Sequence, residues 1–133
     1  MDAVGSFLCN ADRLVDGGPG IRFRVRSENR VIPAFVIRFQ GKVYAYLNQC
    51  AHQSVELDWQ PGQFFDPDRN FLICATHGAL YDPDTGACRT GRCAGRGLTP
   101  LPVEEHQGSI LLAGGPIGVH LVDTELPEDG SRA

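Results

Sequence analysis

Two short segments hold the residues best suited to chemistry: Cys50-Ala51-His52 and Cys74-Ala75-Thr76-His77-Gly78. Each supplies one thiol and one imidazole. Thiolates are soft, strongly donating ligands, and neutral imidazoles suit the same first-row metals, so two of each read as a metal centre. Residues one position apart do not readily chelate a single ion, but they reach two metal ions of one cluster. Structural zinc is the competing reading. Its cysteines usually pair about two to four residues apart and its histidines about three to five apart. Here cysteine and histidine interleave, which favours a binuclear iron–sulfur centre. Cys50 and Cys74 then take one iron, and His52 and His77 the other. The remaining reading is that the four residues never meet.

The charge of such a centre sets its chemistry. Two ferric ions, two sulfides, two thiolates and two neutral imidazoles sum to zero, whereas four thiolates leave a dianion. An electron enters the neutral centre at lower cost. A ligating imidazole also keeps a second ring proton, which couples the potential to pH once the oxidised centre titrates.

The segments that must position these ligands are β-rich. Ile21-Arg22-Phe23-Arg24-Val25-Arg26 alternates apolar and basic, as in a half-buried strand. Its arginines read either as a partner-docking row or, more plainly, as a solvated face. Ala34–Phe39 and Val43–Leu47 flank Gln40-Gly41-Lys42 and predict a hairpin whose second strand runs into Cys50. Phe71-Leu72-Ile73 is a short apolar run that ends at Cys74, so each ligand pair leaves a strand. Asp82-Pro83-Asp84-Thr85-Gly86 is a turn signal, and Leu101–Glu105 and Ser109–Leu112 predict a second hairpin around His106-Gln107-Gly108. Short strands between Gly/Pro turns, with no long helical period, predict an all-β sandwich or small barrel.

The chain has 133 residues and a formal net charge of −4. One domain is expected, over 1–112, with 113–133 as a loose Gly-, Pro- and acid-rich tail. The charge argues against nucleic acid or an anionic membrane as partner and suits steering toward a basic patch on a redox protein. With no apolar run of membrane-spanning length and an acid at Asp2, the expectation is a soluble, cytoplasmic protein. Five cysteines, an odd number, do not suggest a disulfide framework.

The ligand segments, Tyr81, and the downstream Gly86 and Gly91 together resemble a Rieske-type [2Fe–2S] ferredoxin, over about Ile21 to Leu112. The resemblance implies one cluster per chain, bound by Cys50, His52, Cys74 and His77. It implies the Rieske fold: an antiparallel β-sandwich base with a small cluster-binding subdomain built from loops at about 48–60 and 72–82. Potentials of such centres lie at about −150 to +300 mV, against about −400 mV for plant-type ferredoxins. The implied role is one-electron carriage from a flavoprotein reductase to a terminal oxygenase or reductase, without a substrate or catalytic residue of its own. The alternative is a tightly bound Rieske subunit of a multicomponent oxygenase or reductase.

Departures from the family pattern bear on tuning. Rieske proteins of cytochrome bc complexes join the two loops by a disulfide, and Val55 and Thr76 stand at the corresponding positions here. Ala79 replaces a serine that bonds a bridging sulfide, which lowers the expected potential. Tyr81 is expected either to bond a cysteine sulfur or simply to fill the core. Ser54 and Ala75 stand where many relatives have glycine and proline.

Other residues invite assignment. Cys88 and Cys93 are read as free thiols, with a local disulfide as the alternative, and Cys9 as a small core residue. His106, His120 and Asp123 are considered as a mononuclear iron triad, and His106 is expected to be solvated in its turn. Trp59, Phe64 and Phe65 are expected to pack the cluster subdomain.

Overall fold

The computed structural model describes residues 6–27, 29–49, 56–58, 60–74, 78–89, 97–113 and 119–125. Apart from one 3-10 turn at Ala11–Arg13, its regular elements are all strands. They are β1 (Ser6–Asn10), β2 (Ile21–Ser27), β3 (Arg30–Phe39), β4 (Lys42–Leu47), β5 (Leu72–Ile73), β6 (Leu80–Tyr81), β7 (Pro100–Leu101), β8 (Val103–His106), β9 (Ser109–Leu112) and β10 (Val119–Glu125). They form a five-stranded sheet in the order β10-β2-β3-β4-β7, a three-stranded sheet β1-β9-β8, and the pair β5-β6. Every ladder between these strands is antiparallel. The expected all-β sandwich with a small added subdomain is what forms.

Residue alternation explains how one sheet serves two cores. On β3, Ile32, Ala34 and Val36 face one way, and Phe35 and Ile37 the other. The strand is buried on both faces, so Ala34-Phe35-Val36-Ile37 reads as a continuous apolar run rather than an alternating one. The first face packs, with Ile21, Phe23 and Val25 of β2, against Leu8 and Cys9 of β1 and Ile110 and Leu112 of β9. The second face packs with Tyr46 of β4 against Leu57, Phe64, Leu72, Cys74 and Tyr81. Each fully buried Phe, Ile or Val contributes about 1.5–3 kcal/mol relative to exposure. The small β5-β6 unit is thereby held to the central sheet by a core of its own.

Turn chemistry fixes the registers. Gln40 and Gly41 lie at φ 52° and 85°, and Phe39 pairs with Lys42 across them. Positive φ at both central residues is the signature of a two-residue type I′ turn, whose twist matches the strands. Gln107 and Gly108 repeat this between His106 and Ser109. His106 thus ends a strand instead of lying in the turn.

Arg38 ties the layers together. Its guanidinium donates to the carbonyls of Leu14 (2.8 Å), Ala11 (3.2 Å) and Gly41 (3.2 Å) and to Glu105 of β8 (2.9 Å).

The chain beyond Leu112 differs from expectation. Val119–Glu125 is not loose; it adds β10 to the free edge of β2, with an irregularity between Leu121 and Asp123. The alternation in Val119-His120-Leu121-Val122-Asp123-Thr124 supports a strand, and β2 offers unpaired backbone groups that a tenth strand satisfies. Leu121 reaches the first core, and Asp123 pairs with Arg24.

Candidate metal centre

Cys74 sits one residue past β5, is 0 % exposed, and takes part in no disulfide. Backbone hydrogen bonds join Cys74 to Gly78 and Ala79. The Gly78 N–H donates to the Cys74 carbonyl (2.6 Å), and the Cys74 N–H donates to the Ala79 carbonyl (2.9 Å). Gly78 adopts φ 74°, a conformation that costs glycine little, and an added Cβ there would meet no atom of the described residues within 4 Å. A buried thiol at a strand end, beside a tight turn with open space on its glycine, fits a thiolate ligand of a metal cluster.

The strands around it fix that turn. β5 pairs with β6, and the Ile73 N–H donates to the Phe64 carbonyl (2.9 Å). Phe64 stacks on Phe35 of the central sheet with ring centroids 4.0 Å apart and planes 12° apart. Tyr81 is fully buried in the same core. After β6, the Asp82–Gly86 turn is held by the Tyr46 hydroxyl, which donates to the Pro83 carbonyl (2.8 Å) in a buried position. Burial, then nearby Asp84, Tyr44 and Asp82, push the Tyr46 phenol above its ordinary pKa, so it stays a donor.

The approach to the first ligand segment is polar and buried. Asn48 is 0 % exposed and Asp58 5 %. The Asn48 amide donates to Asp58 (3.0 Å) and accepts from the Leu57 N–H (2.8 Å), while Asp58 also accepts from the Gly62 N–H (2.9 Å). Arg22 of β2 reaches the same carboxylate at 3.4 Å and lies 3.8 Å from Glu56. Neither Asn48 nor Asp58 was singled out in the sequence. The available signal was the alternation Val55-Glu56-Leu57-Asp58-Trp59, which sets two acids between apolar residues.

Of the expected ligands, Cys74 is the one within the described residues, buried just past β5. Cys50, His52 and His77 lie outside the described residues, as do Ser54, Val55, Trp59, Ala75, Thr76, Gly91 and Cys93. Phe65 is half-buried and stacks on Phe39 at 6.1 Å. The arginine row divides: Arg22 braces Asp58, Arg24 bonds Asp123, and Arg26 is exposed. Of the mononuclear triad, His106 is exposed at the end of β8, and Asp123 is engaged by Arg24, whose hydrogen bonds hold its carboxyl below the usual range; the side chain of His120 lies outside the described residues. Among the described residues, no three His, Cys, Asp or Glu side chains cluster as a metal site.

Two cysteines outside the ligand segments also settle. Cys9 is buried in the first core, and burial pushes its thiol up to about 11. Cys88 is disulfide-bonded, not free as expected, and lies half-buried opposite Tyr81. The odd cysteine count does not exclude a single bridge, because the fold decides which sulfurs can meet.

The described residues thus form an antiparallel sandwich carrying a two-stranded unit with a buried thiol at its strand end. The Rieske [2Fe-2S] domain family model matches residues 7–117, and the chain belongs to that family, which carries one [2Fe–2S] cluster per domain. No protein of curated function matches the sequence. Among solved structures, it is similar to the ferredoxin of carbazole 1,9a-dioxygenase from Nocardioides aromaticivorans. That match has TM-score 0.63 and 23% identity and covers 85% of this chain and 100% of that one. The Sphingomonas yanoikuyae ferredoxin gives TM-score 0.63 and 22% identity over 84% of this chain and 99% of that one. A ferredoxin in complex with the oxygenase of carbazole 1,9a-dioxygenase gives TM-score 0.63 and 23% identity over 85% and 95%.

Proposed function

We propose that this protein is a one-electron carrier that takes electrons from a flavoprotein reductase and delivers them to a terminal oxygenase or similar acceptor. Cys50 and Cys74 hold one iron of its cluster, and His52 and His77 hold the other. When bound, the cluster supplies a site that accepts and returns a single electron. The chain's own residues position it: β4 leads into the first ligand segment, β5 into the second, and the Phe35–Phe64 stack fixes the second against the sheet. The observation that carries the reading is Cys74, buried, outside any disulfide, at a strand end within a Rieske domain spanning residues 7–117. Its likeness to ferredoxins of oxygenase systems supports the choice of acceptor. The functional domain in this proposal includes β10, the edge strand that completes the base. The reading includes a cytoplasmic location, where a reductase draws on reduced nicotinamide.

Anaerobic titration with dithionite tests this. The protein should take up one electron per chain, bleach its visible bands, and recover them on oxidation by ferricyanide over repeated cycles. It should also reduce cytochrome c when given a flavin reductase and nicotinamide. Failure to take up one reversible electron per chain would refute the carrier reading.

A further inference from the structure

The two ligand segments are held in different ways. Around the second, the described bonds are backbone ones, joining Cys74 to Gly78 and to Ala79. The first is bracketed by a side-chain clasp. Asn48 stands two residues before Cys50, and Asp58 stands six after His52. The Asn48 amide spans from the Leu57 N–H to the Asp58 carboxylate, and its own N–H donates to the Pro33 carbonyl on β3 (2.8 Å). Asp58 is capped on its other oxygen by Gly62 N–H and Arg22. The two ends of the segment are thus joined to each other, to β3 and to β2.

Stability alone does not call for this arrangement. Taking a carboxylate out of water costs several kcal/mol, and a well-packed apolar pair is often as stable as a buried polar one. What a fully satisfied buried network supplies is a single geometry. Such a geometry matters at a metal centre, where partners behind the ligands set their orientation and the retention of the metal.

We propose that Asn48 and Asp58 are positioning residues for the [2Fe–2S] cluster, holding the ends of the segment that carries Cys50 and His52. Arg22 braces the clasp from β2. The proposal rests on the assignment of Cys50 and His52 as ligands.

The test compares full-length holoprotein variants. Asn48→Asp sets two carboxylates against each other; Asp58→Asn sets two amide donors against each other. Each should speed cluster loss to a chelator by about 10–100-fold. Each should also broaden the EPR signal of the reduced protein, with the far-UV circular dichroism unchanged. The double variant Asn48→Asp/Asp58→Asn reverses the polarity of the central bond and keeps a partner for every group, so it should restore the lifetime and linewidth. Arg22→Gln, at the half-exposed end, gives a smaller acceleration in a chain that folds even where the single variants do not. Asp123→Asn, which breaks an ion pair on the same sheet, should leave the cluster lifetime unchanged. Folded single variants with wild-type lifetime and linewidth, or a double variant without rescue, would overturn the proposal. Cys50→Ser and His52→Ala separate the two readings. If they keep the native spectrum, the ligand assignment falls and the clasp with it; if they lose it while the clasp variants do not, only the clasp fails.

Discussion

Phe64→Ala tests whether the cluster-binding unit is held to the sandwich by its own core. Phe64 is 0 % exposed, its ring lies face to face on Phe35 at 4.0 Å, and its carbonyl anchors β5 one residue before Cys74. Truncation removes a phenyl group from a site walled by the rigid central sheet, so little collapse is expected, and the cost is about 3–5 kcal/mol. Against a typical total of about 5–15 kcal/mol, the variant stays folded but weakened. At about 4 °C per kcal/mol for a domain of this size, the melting temperature should drop by roughly 12–20 °C. The loss should be local first. In urea, visible absorbance of the cluster should vanish before the far-UV signal, whereas the two coincide in the wild type. Phe7→Ala, at a half-exposed position, is the control and should change stability by no more than about 0.5 kcal/mol. A Phe64→Ala variant within about 1 kcal/mol of wild type, with coincident transitions, would refute the reasoning that this stack couples the two parts.

Gly20→Ala should cost about 1–3 kcal/mol by overpacking. Its new Cβ would lie 2.8 Å from Ile37 Cγ2, 2.8 Å from Phe64 Cδ2 and 2.9 Å from the Val36 carbonyl oxygen, and the last cannot swing away; urea melts read the change. Cys9 should resist iodoacetamide in the native protein at pH 8, because burial raises its thiol to about 11; peptide mapping that found rapid labelling there would contradict its placement. The Arg24–Asp123 pair should stabilise the β10 edge in a pH-dependent way. The carboxyl is lowered in the folded state, so its contribution is present above the unfolded value of about 4 and is lost as pH falls through the folded value. Asp123→Asn should therefore lower the melting temperature at pH 7, and the difference should disappear in acid.

The elements that announced themselves did so through local chemistry. The hairpins were legible because Gly41 and Gly108 interrupt β-rich runs with a residue that accepts positive φ. The Cys74 strand end was legible because the apolar run Phe71-Leu72-Ile73 stops at the cysteine. What escaped depends on long-range pairing. β10 follows a Gly/Pro-rich stretch and precedes an acidic one, and only the unpaired edge of β2 gives its alternation a purpose. β1 is short and gains its place from β9. Asn48 and Asp58 look like ordinary loop residues, since sequence does not show that they are buried against each other. The arginine row has a similar lesson: cross-strand register sets Arg22 beside Phe35, on the side of the sheet that carries the cluster unit, which alternation alone does not say.

The most direct test of the metal centre is EPR of the dithionite-reduced protein, with resolved nitrogen couplings and the iron and sulfide content of the same sample. The account predicts two irons and two sulfides per chain and a mixed Cys/His [2Fe–2S] signal, with nitrogen coupling from two imidazoles that is reduced in His52→Cys and in His77→Cys. A colourless protein with stoichiometric zinc, or a cluster without nitrogen coupling, would contradict it.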